Sequence, residues 1–354
     1  MKKISQLKVL EFASVLAGPL VGNLFSEMGA KVVKVENIRT GGDITRQWRT
    51  ASESSDSPVS SYYASANYGK EVVMADLRNE DDRLRVMNLV ENSDVIISNF
   101  KPQTARKLGV DFRSLRERNP NAVIAELVGY REDPERGAFD VLLQAETGYL
   151  SMTGHPESPF AKIPIAMIDV LAAHQLRAGI LAALFERAED GEGRRIQVDL
   201  YGSALSGLIN QASAYLMNGD IARPLGSAHP SIAPYGEVYY TADKTPLVLA
   251  VGTEKQFHSL CEVLGLRLRD EWKTNKGRVK DRERLQQTLS EQMVKWKYKI
   301  LSERLAVGGI PFAQIHNIGE ALSTEAAEAH ILESNQEGLT LRALKTVSFK
   351  ISDE

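Results

Sequence analysis

The chain reads as an α/β protein, with a Rossmann-like parallel-sheet domain and a second, smaller α+β domain. Three observations predict this. Short β-branched runs alternate with helical patterns over the first 130 of 354 residues, the rhythm of a parallel sheet covered by helices. A helix, a strand "IQVDL" and another helix extend the rhythm to residue 217. The segment "MNGDIARPLGSAHPS" then has the Gly, Pro, Asn and Ser content of a turn or linker, placing a boundary near 220–226.

The elements follow in order. "KVLEF" (8–12) is a buried strand, followed by a helical run from Gly18 to Met28 that Gly29 stops. "KVVKVE" (31–36) is the next strand. Residues 37–66 form a long polar insertion, and Trp48, Tyr62 and Tyr63 within it favour an ordered loop. Then come the strand "EVVMADL" (71–77), a helix over 79–91, the strand "DVIISNF" (94–100), a helix near 102–108 and the strand "AVIAELV" (122–128). A helical pattern runs from Ala166 to Arg187 and closes at "EDGEGRR". Beyond the boundary, "YGEVYYTAD" and "PLVLAVG" read as strands and 254–264 as a helix, with further helices to follow. "LKTVSFKI" near the end reads as an edge strand.

Composition narrows the function. Charged residues make up 25% and hydrophobic ones 43%, as in soluble globular proteins, and a net charge of −3 points to neither nucleic acid nor an anionic membrane. Gln6, Lys8 and Glu11 interrupt what would be the apolar core of a signal peptide, so a cytoplasmic protein without a membrane partner is expected. A single cysteine, Cys261, and six scattered histidines offer no metal-ligand spacing, and no metal is expected. Glu36 ends the second strand where a dinucleotide fold carries its ribose-binding acid, but the first turn reads "ASVLAGP" and lacks the glycine fingerprint. No G-x-S-x-G elbow supports a serine hydrolase.

Two acids stand in apolar surroundings. Asp169 lies in "PIAMIDVLAA", where it reads either as the cap of a helix over about 170–187 or as a carboxylate that the helix start holds ionised for nucleophilic work. Asp140, in "GAFDVLLQAETGYL", reads as another cap or as an acid that orients a reacting carboxylate. His174 and His229 read as structural.

Several segments together resemble the family III CoA-transferases, the formyl-CoA and carnitine CoA-transferase group. They are "KVLEFASVLAGPLVGNLFSEMGAKVVKVE", "GGDITRQW", "NYGKEVVMADL", "DVIISNFKPQTARKLGVD", "FDVLLQAETGYLSMTG", "IDVLAAHQLRAGILAALFERAEDGEGRRIQVDL", "SAHPSIAPYGEVYYTAD" and "GIPFAQIHNIGEAL". The resemblance implies that Asp169 attacks an acyl-CoA thioester and passes through an aspartyl anhydride and an aspartyl-CoA thioester to a free carboxylic acid. Asp140 would assist. Implied CoA contacts are Val15, Leu16, Ala17, Lys70, Asn99, Phe100 and Lys107, with Arg106 beside it. Asn37 replaces the arginine that often follows the second strand, which leaves Arg39 two residues on; another basic position falls on Gly137, next to Arg136. The related α-methylacyl-CoA racemases use a histidine where this chain has Phe139, which disfavours racemisation. "LGSAHPS" lacks the glycine run of the oxalate-using members. A non-catalytic CoA-binding protein is the third possibility. The implied fold is an interlocked homodimer, with a CoA-binding domain over 1–185 completed by about 322–354, linkers over 186–225 and a small domain over 226–321.

Overall fold

The computed structural model describes residues 2–336 and 339–352. It divides into two compact units, one of residues 1–149, 163–221 and 328–354, the other of 150–162 and 222–327.

In the first unit six parallel strands form one sheet: β1 (Lys8–Phe12), β2 (Lys31–Asn37), β3 (Glu71–Ala75), β4 (Val95–Ser98), β5 (Val123–Val128) and β6 (Arg195–Asp199). Their spatial order is β3-β2-β1-β4-β5-β6. The chain winds outward from β1 to β3, then returns to lay β4 on the other side of β1. β1 and β4 therefore flank a topological switch point, where open α/β sheets bind ligands beyond the carboxyl ends of their strands.

Strand parity sorts the side chains. Leu10, Phe12, Val33, Val35, Ile96 and Ile124 face one layer, where they pack with Val86 and Val90 of the helix Glu80–Glu91 and Leu115 of the helix Phe112–Arg118. The alternate residues, Glu11, Lys34 and Glu36, point to the other face and are at most 3% exposed. That face is covered by helix α1 (Ala17–Glu27) and by α7 (Met167–Asp190). Glycine lets α1 come this close: a Cβ on Gly22 would run into the Glu11 carboxylate, and one on Gly18 into Ala13.

Helix α7 buries Ile168, Ala172, Ala173, Leu176, Ile180, Ala183 and Leu184, a stripe at helical spacing, and stops at Gly191 in the left-handed conformation. By length and composition alone this helix could cross a membrane, but its buried stripe packs on the sheet as a core helix does.

Two sequence expectations change. The 186–225 stretch expected to be linker carries the end of α7, strand β6 and two helices, all within the first unit, and 150–162 joins the second. "LKTVSFKI" forms no strand beyond its first residue, Leu344. Instead Ile331–Gln336 and Leu339–Leu344 pair as a separate two-stranded antiparallel sheet. The residues just beyond are strapped to α1, because the Glu27 carboxylate accepts from the backbone N–H groups of Thr346 and Val347 and from the Thr346 hydroxyl.

The second unit holds a three-stranded antiparallel sheet built from Tyr235–Tyr240, Pro246–Ala250 and Phe312–Gln314. Its core gathers Phe257, Leu260, Trp272, Leu285, Leu289 and Leu301 from the surrounding helices.

Candidate active site

A cleft opens at the switch point. Its walls come from the turn after β1 (Ser14, Val15, Leu16, Ala17), the turn after β4 (Asn99, Phe100, Lys101), the end of β5 (Val128, Gly129), and the two acids Asp140 and Asp169. Seven of the residues singled out from sequence thus meet in one place: Val15, Leu16, Ala17, Asn99, Phe100, Asp140 and Asp169. The Asn99 side chain joins the two turns, accepting from Ser14 N at 3.1 Å and donating to Ser14 O at 2.9 Å.

Asp169 is the third residue of α7 and does not cap it; Ala166 is the N-cap and supplies no side-chain bond. The cap comes from 28 positions away. Asp140 Oδ1 accepts the Ile168 N–H at 2.7 Å, satisfying one of the orphan donors of the helix start. Its Oδ2 accepts from Gln144 Nε2 at 2.5 Å, and Gln144 Oε1 in turn accepts from Ile163 N at 2.8 Å. Gln144 is fully buried, so its amide locks Asp140, the approach to α7 and hence Asp169 into one register. No pattern in the sequence marks this link, which spans 28 residues.

The electrostatics also differ from the sequence reading. Burial first, and then the nearby charge of Asp140, push the Asp169 carboxyl up to about 7. These effects outweigh the helix-start field, worth roughly 0.3–1 kcal/mol at an exposed site. Asp169 is therefore a basic carboxylate, poised between its two protonation states near neutrality. The same two acids, after burial, raise the Tyr62 hydroxyl. Tyr62 is held edge-to-face against Trp48, ring centroids 5.2 Å apart, as an ordered 37–66 loop requires.

Lys101 and Arg136 bring positive charge to the cleft. A Cβ on Gly137 would stand 3.8 Å from Lys101 Nζ, so the charge missing at position 137 arrives from the turn after β4. Arg136 pairs with Glu146 and stacks over Tyr130, 4.1 Å from the ring centroid. Lys101 could have been found from sequence, since it directly follows Asn99-Phe100.

A second cleft lies on the other side of Phe100. Phe12, Val35, Ala75, Leu77 and Leu108 give it apolar walls, and Arg78 and Lys107 give it cations. Arg39 reaches its wall at Asp76, 3.6 Å away, while Arg106 turns to Glu135 at 3.9 Å. Arg78 went unmarked in the sequence reading, although it follows the β3 strand end, where this fold places ligand contacts. Glu36 also lines this cleft, but its carboxylate is engaged by Arg46, the Tyr63 hydroxyl and Asp43 N–H.

Lys70 must be corrected. It was expected to meet CoA, but its side chain is fully enclosed, with Nζ bonded at 2.8 Å to Glu11 Oε2, Pro19 O and Ala66 O. Burial, against the pull of Glu11, lowers it to about 8. Three acceptors take its three protons, leaving none for a phosphate. Among the described residues no group of three or more His, Cys, Asp or Glu side chains is placed to share a metal ion.

The geometry can be set beside known proteins. The profile of CoA-transferase family III matches residues 4–350. The succinate–glutarate CoA-transferase of Agrobacterium fabrum is 34% identical over 343 residues, covering 94% of this chain and 85% of that protein. The succinyl-CoA:mesaconate CoA-transferase of Haloarcula hispanica is 31% identical, covering 90% and 82%. The crystal structure of a CAIB/BAIF family protein from Brucella suis superposes with a TM-score of 0.85 at 32% identity, over 99% of this chain and 93% of that one. Fold, cleft and sequence agree: the chain belongs to family III of the CoA-transferases.

Proposed function

We propose that the protein moves CoA between carboxylic acids with Asp169 as its covalent carrier. The observation that carries this is a basic, partly buried carboxylate set into a cleft at the switch point, with Asp140 and Gln144 fixing its helix.

The chemistry balances without an outside energy source. The ionised Asp169 carboxylate attacks the thioester carbonyl carbon, the C–S bond breaks, and CoA leaves as thiolate from a mixed anhydride. The thiolate then attacks the aspartyl carbonyl, the donor acid leaves as carboxylate, and an aspartyl-CoA thioester remains. The acceptor carboxylate attacks that thioester to form a second anhydride, releasing the thiolate again. Attack of the thiolate on the acceptor carbonyl yields the new thioester and restores Asp169. Each step exchanges one activated carboxyl for another, which splits a hard exchange into easier ones.

The two clefts suit the two ends of CoA. The apolar second cleft with Arg78 and Lys107 accommodates the adenine and phosphates, and the pantetheine arm would cross at Phe100 to reach Asp169. Lys101 and Arg136 offset the two acids, which alone would repel an anionic acceptor. Two relatives named for succinate, glutarate or mesaconate make short dicarboxylates the first acceptors to test. Racemisation is disfavoured because the histidine that carries the proton in the racemases is absent: exposed Phe139 takes its place on the cleft wall beside Asp140.

We also propose a cytoplasmic homodimer. The first unit exposes Ile209, Leu216, Met217 and Ile221 by 71–81%, an apolar surface that a second copy would cover.

The test is to incubate the protein with succinyl-CoA and read its mass. An adduct of CoA less water, on Asp169 and discharged by glutarate, supports the reading. A full adduct and full turnover in Asp169→Ala would sink it.

A further inference from the structure

The turn along the cleft wall is bent by Val15, whose φ is +72°. A β-branched residue in the left-handed region is an outlier that persists only where its surroundings hold it. The holder is Asp43, buried beneath the turn, whose Oδ2 accepts the Val15 N–H at 3.1 Å. Asp43 is itself fixed. Its Oδ1 accepts from Thr45 N at 3.0 Å and from the Thr45 hydroxyl at 2.9 Å, and its Oδ2 stands 3.0 Å from Lys34 Nζ.

Lys34 is enclosed completely. Its ammonium also contacts Glu11 Oε1 at 3.1 Å and donates to Ala13 O at 2.7 Å. Burial pulls its pKa down, but Glu11 and Asp43 outweigh that and hold it above the usual lysine value, so Lys34 stays charged. The Ala13 carbonyl and the Val15 N–H lie on either side of Ser14. The pair thus grips the turn at both ends, while Asn99 grips Ser14 between them.

We propose that Asp43, backed by Lys34, is a positioning residue that holds Val15 in its strained conformation and so fixes Ser14–Ala17 opposite Asp169. Asp43 is not part of the cleft wall and acts only through the turn. The inference rests on the proposed function for its kinetic readout alone.

The experiment compares Asp43→Ala in the wild-type and Val15→Gly backgrounds. Glycine adopts a φ of +72° without strain and needs no holder. Removing Asp43 is expected to lower kcat on the order of tenfold or more in the wild-type background, and less than about threefold in the Val15→Gly background, a coupling that independent sites do not show. The loss falls on kcat more than on KM. A merely structural role would give the same fold-loss in both backgrounds, and that result overturns the proposal. Asp43→Asn keeps an acceptor for the Val15 N–H and serves if the alanine variant does not fold. Its expected loss is smaller, again with the larger share in the wild-type background. Amide hydrogen exchange on the full chain reads the turn without catalysis. Asp43→Ala should speed exchange at Val15–Ala17 and leave the second unit unchanged, and unaltered exchange at the turn counts against the proposal. If wild-type protein forms no CoA adduct, the functional reading fails while the exchange result still decides the role of Asp43.

Discussion

Asp169→Asn should abolish transfer and yet stabilise the protein at alkaline pH. The Asp169 carboxyl stands at about 7 in the fold, raised by burial and then by the charge of Asp140, against about 3.9 in an unfolded chain. A raised carboxyl favours the protonated form of the folded state. Its contribution to stability is therefore complete below the unfolded value and is lost as pH rises from about 4 through 7. At roughly 1.4 kcal/mol per pH unit, the loss by pH 8 has an upper bound of about 4 kcal/mol. Solvent in the open cleft screens part of this, leaving about 2–4 kcal/mol.

Asparagine keeps the shape and carries no charge, so the variant escapes that loss. The assay is urea unfolding of wild type and Asp169→Asn at pH 4.5 and pH 8. The gain should reach about 2–4 kcal/mol at pH 8 and shrink to about 0.5–1 kcal/mol at pH 4.5. Equal differences at the two pH values, or destabilisation at pH 8, would refute the reasoning. Gain of stability with loss of function is the usual signature of an active site that holds an unfavourable charge for its chemistry.

Further outcomes follow from the same structure. The nucleophile must be ionised, so kcat/KM should rise with pH through an inflection near 7. In Asp140→Asn that inflection should fall by at most about 1.5 pH units, because burial is the larger cause; an unmoved inflection would remove Asp140 from the electrostatics of Asp169. Light scattering should give twice the chain mass, and replacing both Leu216 and Met217, each 80% exposed or more, with serine should shift the protein toward monomer. A monomeric wild type would contradict the homodimer.

Much of the fold was legible because its signals are local. The β-branched runs at 31–36 and 122–128 call for strands by their composition and length alone. Gly29 and Gly191 mark helix ends by their own backbone geometry. The two acids stand out in the sequence because they interrupt apolar runs, whereas the first turn, Asn99 and Phe100 are marked only by the family resemblance. The boundaries over 186–225 were missed because "IQVDL" says strand without saying which sheet it joins.

The remaining errors share one cause. Alternation in "KVLEF" and "KVVKVE" sets Glu11 and Lys34 apart from their apolar neighbours, but only the parallel register that pairs them and the arrival of α1 and α7 put them on one interior face. Lys70 looked like a phosphate ligand because a lysine's reach is a tertiary property: here it points inward to Glu11. Asp169 looked like its own helix cap because local capping rules count neighbours within a few residues, whereas the actual cap, Asp140, comes from another helix.

By itself, then, the sequence determined the strands and helices that build the main sheet, and which acids stand in apolar company. Those properties depend on residues a few positions apart. Only the tertiary structure decided which charges are enclosed, which partner caps α7, and that Asp169 sits near 7. Desolvation and charge–charge interaction depend on distance through space, and the chain reveals those distances only when folded.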